Sequence, residues 1–279
     1  MEYKKIQNKE YTLHLINSNR FKTMNIVVFL TKEFNKEDIT YGGMLSSNLV
    51  YTSKKYNTKN KMAIIGEELY GANVTASFGI SGNSESYIFS LDFLNPKYTE
   101  EKYMNETIDF LCEILFNPNV KDNSFDENYF NIIKKDAITR SLSIKDNPGL
   151  FASIEYSKIM YKGTPSAYNT IPSKEELEKI TAKKLYQKYT ELFNGNYKID
   201  IVVHGEIDDD IIPIIENKFK SVKGNNNKVV FDIKHKYDDK VIEKVDTLPF
   251  NQSKLYIGYR LNDLNYHEMN HVLRVYNTI

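Results

Sequence analysis

"FKTMNIVVFLTKEFNKEDITYGGMLSSNLVY", residues 21–51, changes character twice within a few turns of chain. Its first part, FKTMNIVVFLTKEF, is rich in β-branched and aromatic residues and predicts a strand. A polar bend follows. The stretch from KEDITYGG to TSKKY, residues 36–56, predicts a helix. Glu37 and Asp38 fall in its first turn, where the helix dipole favours acids. Ile39, Met44, Leu45 and Leu49 supply one apolar face. Gly42 and Gly43 mark a close-packing or kink position; no G-x-x-x-x-G-K follows, so they are not a phosphate cradle. One strand and one helix cannot enclose a core, so this unit must pack into a larger sheet.

The rest of that sheet is readable on both sides. EYTLHLINS (10–18) alternates as a second strand. TKNKMAIIGEELYGA (58–72) predicts a helix capped by Thr58 and ended by Gly71, the residue best suited to a left-handed terminus. NVTASFGISG and ESYIFSLDFL then predict a hairpin with its turn at Gly82–Asn83. The middle is helical: TEEKYMNETIDFLCEILFNP, SFDENYFNIIKKDAITRSLSIKDNPG and PGLFASIEYSKIMYKG, the first stopped by Pro118. A short helix in SKEELEKI precedes another in TAKKLYQKYTELFN, which Thr181 can cap. NYKIDIVVHGEID is a near-continuous apolar strand, and DDDIIPIIENKFKSV a helix after it. The first third thus alternates strand and helix and the middle is helical, a mixture consistent with an α+β fold.

KGNNNKVVFDIKHKYDDK is polar, asparagine-rich and without helical period, so it reads as a linker. After it, QSKLYIGYRL (252–261) predicts a strand and NDLNYHEMNHVLRVYNTI a helix. This pair echoes the opening unit: aligning Tyr266 with Tyr41 also pairs Met269 with Met44, Val275 with Val50 and Tyr276 with Tyr51. The expected organisation is therefore a first domain over 1–222, a linker over 223–251, and the first strand and helix of a truncated second domain over 252–279. The alternative is an ordinary terminal helix docked on one domain.

Composition narrows the function classes. Hydrophobic residues at 41% and charged residues at 27% are those of a folded, water-exposed chain. Thirty-seven basic residues balance 37 acidic ones, so nothing favours nucleic acid or an anionic membrane as partner. The local run of Lys54, Lys55, Lys59 and Lys61 reads as a solvated face. The 21 tyrosines are dispersed through predicted elements, as packing residues rather than a base-stacking platform. Cys112, the single cysteine, sits in the apolar run IDFLCEILF as a small hydrophobe. The opening MEYKKIQNKEYTLHL lacks a signal-peptide core, and no apolar run reaches membrane-spanning length, so the expected location is cytoplasmic.

One motif argues for chemistry. HEMNH, residues 267–271, fits H-E-x-x-H, in which two imidazoles one turn apart hold zinc and the glutamate is the base. A further ligand is missing downstream, because Val272–Ile279 contains no His, Asp, Glu or Cys. The extended pattern would need glycine and histidine where Arg274 and Asn277 stand. His14, His204 and His235 lie in no ligand-like cluster. Glu268 also belongs to a first turn that favours an acid regardless. The expected reading is two histidines on a solvated helix; a zinc endopeptidase using His267, His271 and Glu268 is the alternative.

Taken in order, EELYGANVTASFG, YNTIPSKEELEKITAKKLYQKYTELFNGNYKIDIVVHGEID and QSKLYIGYR resemble the M16 (insulinase or pitrilysin-like) metallopeptidases, over about residues 5–279. The likeness is to bacterial members that have lost the active site. It implies a LuxS/MPP-like α/β sandwich, with an antiparallel-rich sheet covered by helices and the start of a second similar domain. Active members carry H-x-x-E-H on the first helix and a third ligand on a later one. Here the resemblance puts Met44, Ser47 and Asn48 at the motif positions and Asp136 at or near the third. A thioether, a carboxamide and one carboxylate are a poor donor set for zinc, and serine cannot replace a glutamate base. The resemblance thus implies no catalytic residues, no cofactor (zinc only under the HEMNH alternative) and a structural, regulatory or peptide-binding role beside an active M16 subunit. A heterodimer or self-association, and an extended peptide bound by strand addition, are the expected partners.

Overall fold

The computed structural model describes residues 2–100, 103–208, 210–225, 227, 229, 240–259 and 264–278. Its sheet grows around β3 (Thr23–Glu33), the strand of the opening motif. Met24, Ile26, Val28 and Leu30 are at most 1% exposed, while Asn25, Val27 and Phe29 between them are only half-buried. Period-two alternation therefore sends one row into the core and one to the other face. Burying each such aliphatic side chain stabilises the fold by about 1.5–3 kcal/mol.

β3 pairs antiparallel with β5 (Ser84–Leu94) on one side and β8 (Asn194–Gly205) on the other. Beyond β5 lies β4 (Asn73–Ser81), closing the predicted hairpin through Gly82 at φ +58°. Beyond β8 lie β2 (Thr12–Asn17), in parallel, and then β1 (Glu2–Gln7). The order is β1-β2-β8-β3-β5-β4, with β9 (Lys223–Asn225) also parallel to β8 and β6–β7 (Val120–Lys121, Ser124–Phe125) a separate small ribbon. The sheet is mostly antiparallel, as expected.

Helices cover one face. α1 (Lys36–Tyr51), α2 (Lys59–Glu68), α3 (Met104–Phe116), α4 (Glu127–Leu142), α5 (Pro148–Met160), α6 (Lys174–Glu178), α7 (Ala182–Thr190) and α8 (Ile211–Lys218) follow the predicted order. Met44, Leu45 and Leu49 of α1 join Ile108, Leu111 and Leu115 of α3 and the inward row of β3 in one continuous core. Both predicted N-caps form, Thr58 accepting from the Lys61 N–H and Thr181 from the Lys184 N–H; Ser173 also makes a reciprocal capping box with Glu176. Gly71, at φ +80°, follows α2 as read. Gly42 is a contact point, because a Cβ there would stand 2.2 Å from the Phe78 ring of β4; around Gly43 the space is open.

Three expectations need correction. The first helix ends at Tyr51, not at residue 56, since Thr52 is extended and Ser53 bridges to Pro118. The chain opens with three strands rather than two, β1 having been invisible as EYKKIQ. The strand expected over 252–261 is not formed over residues 252–259, and residues 260 and 261 lie outside those described. A strand exists only through a ladder, and among the described residues this segment pairs with none; Leu255 (81% exposed) and Tyr259 (79%) remain in solvent. The final helix does form. It is wound as a π-helix over Glu268–Val272 and as an α-helix, α9, over Leu273–Tyr276.

Candidate functional site

α1 is where an M16-like zinc centre would be built, and its surroundings decide what it can do. Asn35 caps the helix, its side chain accepting from the Glu37 N–H. The helix then lies against edge strand β4 at the Gly42–Phe78 contact and beneath α4. Met44 is 2% exposed and packs in the core; Asn48, 4% exposed, donates its amide to the Met44 carbonyl at 2.8 Å. Ser47 is half-buried, and Asp136 is exposed on α4, whose buried residues are Phe130 and Ile133. A core-packed thioether and an amide turned back on its own helix do not fit a zinc ion.

The neighbouring polar cluster was not foreseen. Lys32 on β3 lies 2.5 Å from Asp38 of α1 and 3.4 Å from Glu85 of β5, and Lys188 of α7 lies 2.9 Å from the other Asp38 oxygen and 3.2 Å from Glu191. Glu85 also accepts from the Asn35 N–H at 3.0 Å. Lys32 sits 4.8 Å above the Tyr197 ring. Five side chains thereby tie the start of α1 to two strands and to α7.

Electrostatics within this cluster are uneven. Burial opposes the charge on Asp38, but hydrogen bonds from Lys188 and Lys32 outweigh it and hold its pKa below the usual value. Burial likewise opposes the charges on Lys32 and Lys188, yet their bonds to Asp38 leave both pKa values raised. Glu85 is the loser: wholly buried and farther from Lys32, it is pushed by burial up to about 7. Burial also raises the phenols of Tyr87 and Tyr197. First-turn Asp38 was visible in the sequence; its companions lie 6 to 153 residues away, with no local pattern to join them.

Over the opposite face lies an open trough of about 520 Å³ floored by Ile16, Phe29, Ile88 and Val202. Its rim carries a polar row: Tyr3 Oη is 2.7 Å from His14 Nδ1, and His14 Nε2 is 3.1 Å from Asp200. His14 and Asp200, 186 residues apart, meet because β2 and β8 are parallel neighbours.

The HEMNH residues stand apart from both places. His267 and His271 are exposed, with ring centroids 5.0 Å apart. Glu268 accepts from the Asn265 N–H at 2.8 Å, and Asn265 Oδ1 accepts from the Glu268 N–H at 3.0 Å. That reciprocal bond is a capping box, which occupies the glutamate with its own helix end. Among the described residues no group of three or more His, Cys, Asp or Glu is arranged to hold a metal ion; His235 lies outside them. Burial pushes the Cys112 thiol up to about 12, which suits a packing role. Among the described residues no helix is long and apolar enough to cross a membrane.

Residues 179–279 match the family described as Peptidase M16 inactive domain. A curated relative, "Probable inactive metalloprotease YmfF" of Bacillus subtilis (strain 168), is 23% identical over 255 residues, covering 89% of this chain and 59% of its own length. A conserved protein from Enterococcus faecalis V583 has a similar structure, with a TM-score of 0.79, 23% identity and coverage of 86% of this chain and 57% of that one. The peptidase M16 inactive domain from Pseudomonas fluorescens gives a TM-score of 0.61 at 16% identity, covering 80% and 51%. The chain therefore spans between half and three fifths of the length of each.

Proposed function

From the premise that the chain is an inactive M16-peptidase-like protein, we propose that it serves as a structural, regulatory or peptide-binding partner of an active zinc peptidase. The observation that carries this is the setting of α1: Met44 and Asn48, at positions the resemblance assigns to the zinc motif, are buried on a helix that lies beside edge strand β4. The edge strand beside α1 supports a peptide-binding reading, and the side chains at the motif positions do not support a zinc-binding one. An extended peptide would add to β4 through main-chain hydrogen bonds, with the side chains of alternate residues set against the sheet. The turn at Pro165–Ala167 lies against the same strand and would bound that groove.

The division into 1–222, 223–251 and 252–279 belongs to the same proposal. Leu255, Ile257, Tyr259, Met269 and Val275 are more than half exposed, which supports reading them as the apolar side of a second unit awaiting its sheet. Cytoplasmic location and a heterodimer follow from this reading.

The test is to mix the purified chain with the H-x-x-E-H peptidase encoded in the same genome. Co-elution, or a changed kcat/KM of that peptidase, is expected. No complex and unchanged kinetics at micromolar concentrations of both would remove the proposal.

A further inference from the structure

We propose that His267 and His271 form a two-imidazole chelating site for a divalent late first-row metal ion, and that loading it fastens the last helix. This stands independently of the partner reading.

The geometry comes first. A metal–nitrogen bond of about 2.0–2.1 Å, plus roughly 1.1 Å from nitrogen to ring centre, puts each centroid about 3.2 Å from a bound ion. Two such ligands at angles of about 90–110° have centroids about 4.5–5.2 Å apart. The observed separation is 5.0 Å, within the range that two imidazoles on one ion require. Both are exposed, so the ion needs no path through the protein.

The site is suited to holding an ion and not to hydrolysis. Glu268, which a zincin would use as base, is bonded to the helix start through Asn265. With two protein donors and no third among the described residues, solvent fills the remaining positions. Affinity then follows the metal's own preference for nitrogen, with copper(II) above nickel(II) and zinc(II).

The consequence falls on the helix. Tyr266 (77% exposed), Val275 (63%) and Tyr276 (75%) face solvent, so packing contributes little to keeping it wound. A helix this short is marginal alone. The two rings share an ion only while the turn between them is formed, so binding energy becomes helix stability.

Calorimetric titration of the full chain with CuCl2 and with ZnCl2, followed by amide exchange, tests this. One ion per chain is expected, copper binding more tightly. Affinity should fall at least about tenfold in His267→Ala and in His271→Ala, and stay unchanged in His14→Ala and Glu268→Gln. At a free-metal concentration a hundredfold above Kd, exchange across residues 268–276 should slow by about 100-fold. All four positions tolerate the change without loss of core, so folding does not confound the result. Absence of binding, binding that survives either alanine, half an ion per chain with dimerisation, or metal-dependent peptide cleavage lost in Glu268→Gln would each overturn the proposal.

Discussion

Two carboxylates compete for Lys32, and the closer one wins: Asp38 at 2.5 Å leaves Glu85 at 3.4 Å without exposure to water. The sign of the consequence follows from where each proton sits. Glu85 is raised from 4.5 to about 7 in the folded protein, so between those values the native state holds a proton that the unfolded chain has released. Stability therefore falls as pH rises through this window, by an amount of order 3 kcal/mol. Asp38 acts oppositely and elsewhere, its lowered pKa adding stability above about 3.8 that is lost on acidification below it. Urea unfolding of the wild type should give a lower midpoint at pH 8 than at pH 5.5, and Glu85→Gln should flatten that difference while keeping the acceptor for the Asn35 N–H. A slope unchanged in the variant would refute the assignment. Gly42→Ala is the second prediction at this scale. Its methyl would enter the Phe78 ring, so a loss of about 1–3 kcal/mol is expected by denaturant titration, against a gain of about 0.5–1 kcal/mol for Gly43→Ala, where the space is open. The sequence announced Gly42 as a packing position because glycine is costly inside a helix. It could not announce Glu85, whose partners come from α1, β3 and the main chain of Asn35.

Elements were legible where the signal was local. Caps, breakers and the Gly-Asn hairpin each depend on a few adjacent residues, and these placed nearly every helix. β1 escaped because EYKKIQ has almost no apolar alternation; its lysines suit an edge strand that must not pair further. Residues 253–259 misled for the opposite reason. SKLYIGY has strong β character, but pairing needs a neighbour, and propensity alone supplies no ladder. α4 shows how much a cap can matter to an element with little burial of its own. It buries only Phe130 and Ile133, and two of its free first-turn N–H groups are taken by Asp126, which accepts from Asn128 and Tyr129. Asp126→Ala should cost about 1 kcal/mol. The midpoint of urea unfolding should drop with its slope unchanged, the mark of lost stability without a change in surface exposed. A variant as stable as the wild type would mean that packing on α1 and α6 holds the helix without the cap.

For the whole molecule, the unresolved physical question is what secures α5 and the chain that crosses it. α5 is apolar in composition, PGLFASIEYSKIM, yet none of its residues is fully buried. Residues 240–259 run over it without forming a strand: Lys244 pairs with Glu155, the Tyr256 ring lies tilted against Tyr156 with centroids 5.8 Å apart, and Tyr256 Oη donates to the Gly149 carbonyl at 3.2 Å. Gly258 permits the approach, since a Cβ there would meet the Tyr156 hydroxyl at 2.3 Å. The crossing segment thus serves α5 as a partial cover, joining the core-bearing part of the chain to the part that resembles its beginning. The ion pair is exposed and adds little, so the tyrosine contacts should dominate. Tyr256→Ala is therefore expected to speed amide exchange in α5 several-fold while leaving the protected amides of β3, β5 and β8 unchanged, because those exchange only through opening of the common core. If α5 and the sheet responded together, the segment would be part of one cooperative unit. If neither responded, the tyrosine contacts would be incidental, and α5 would owe its place to the flanking turns at Ser143–Asp146 and Pro165–Ala167.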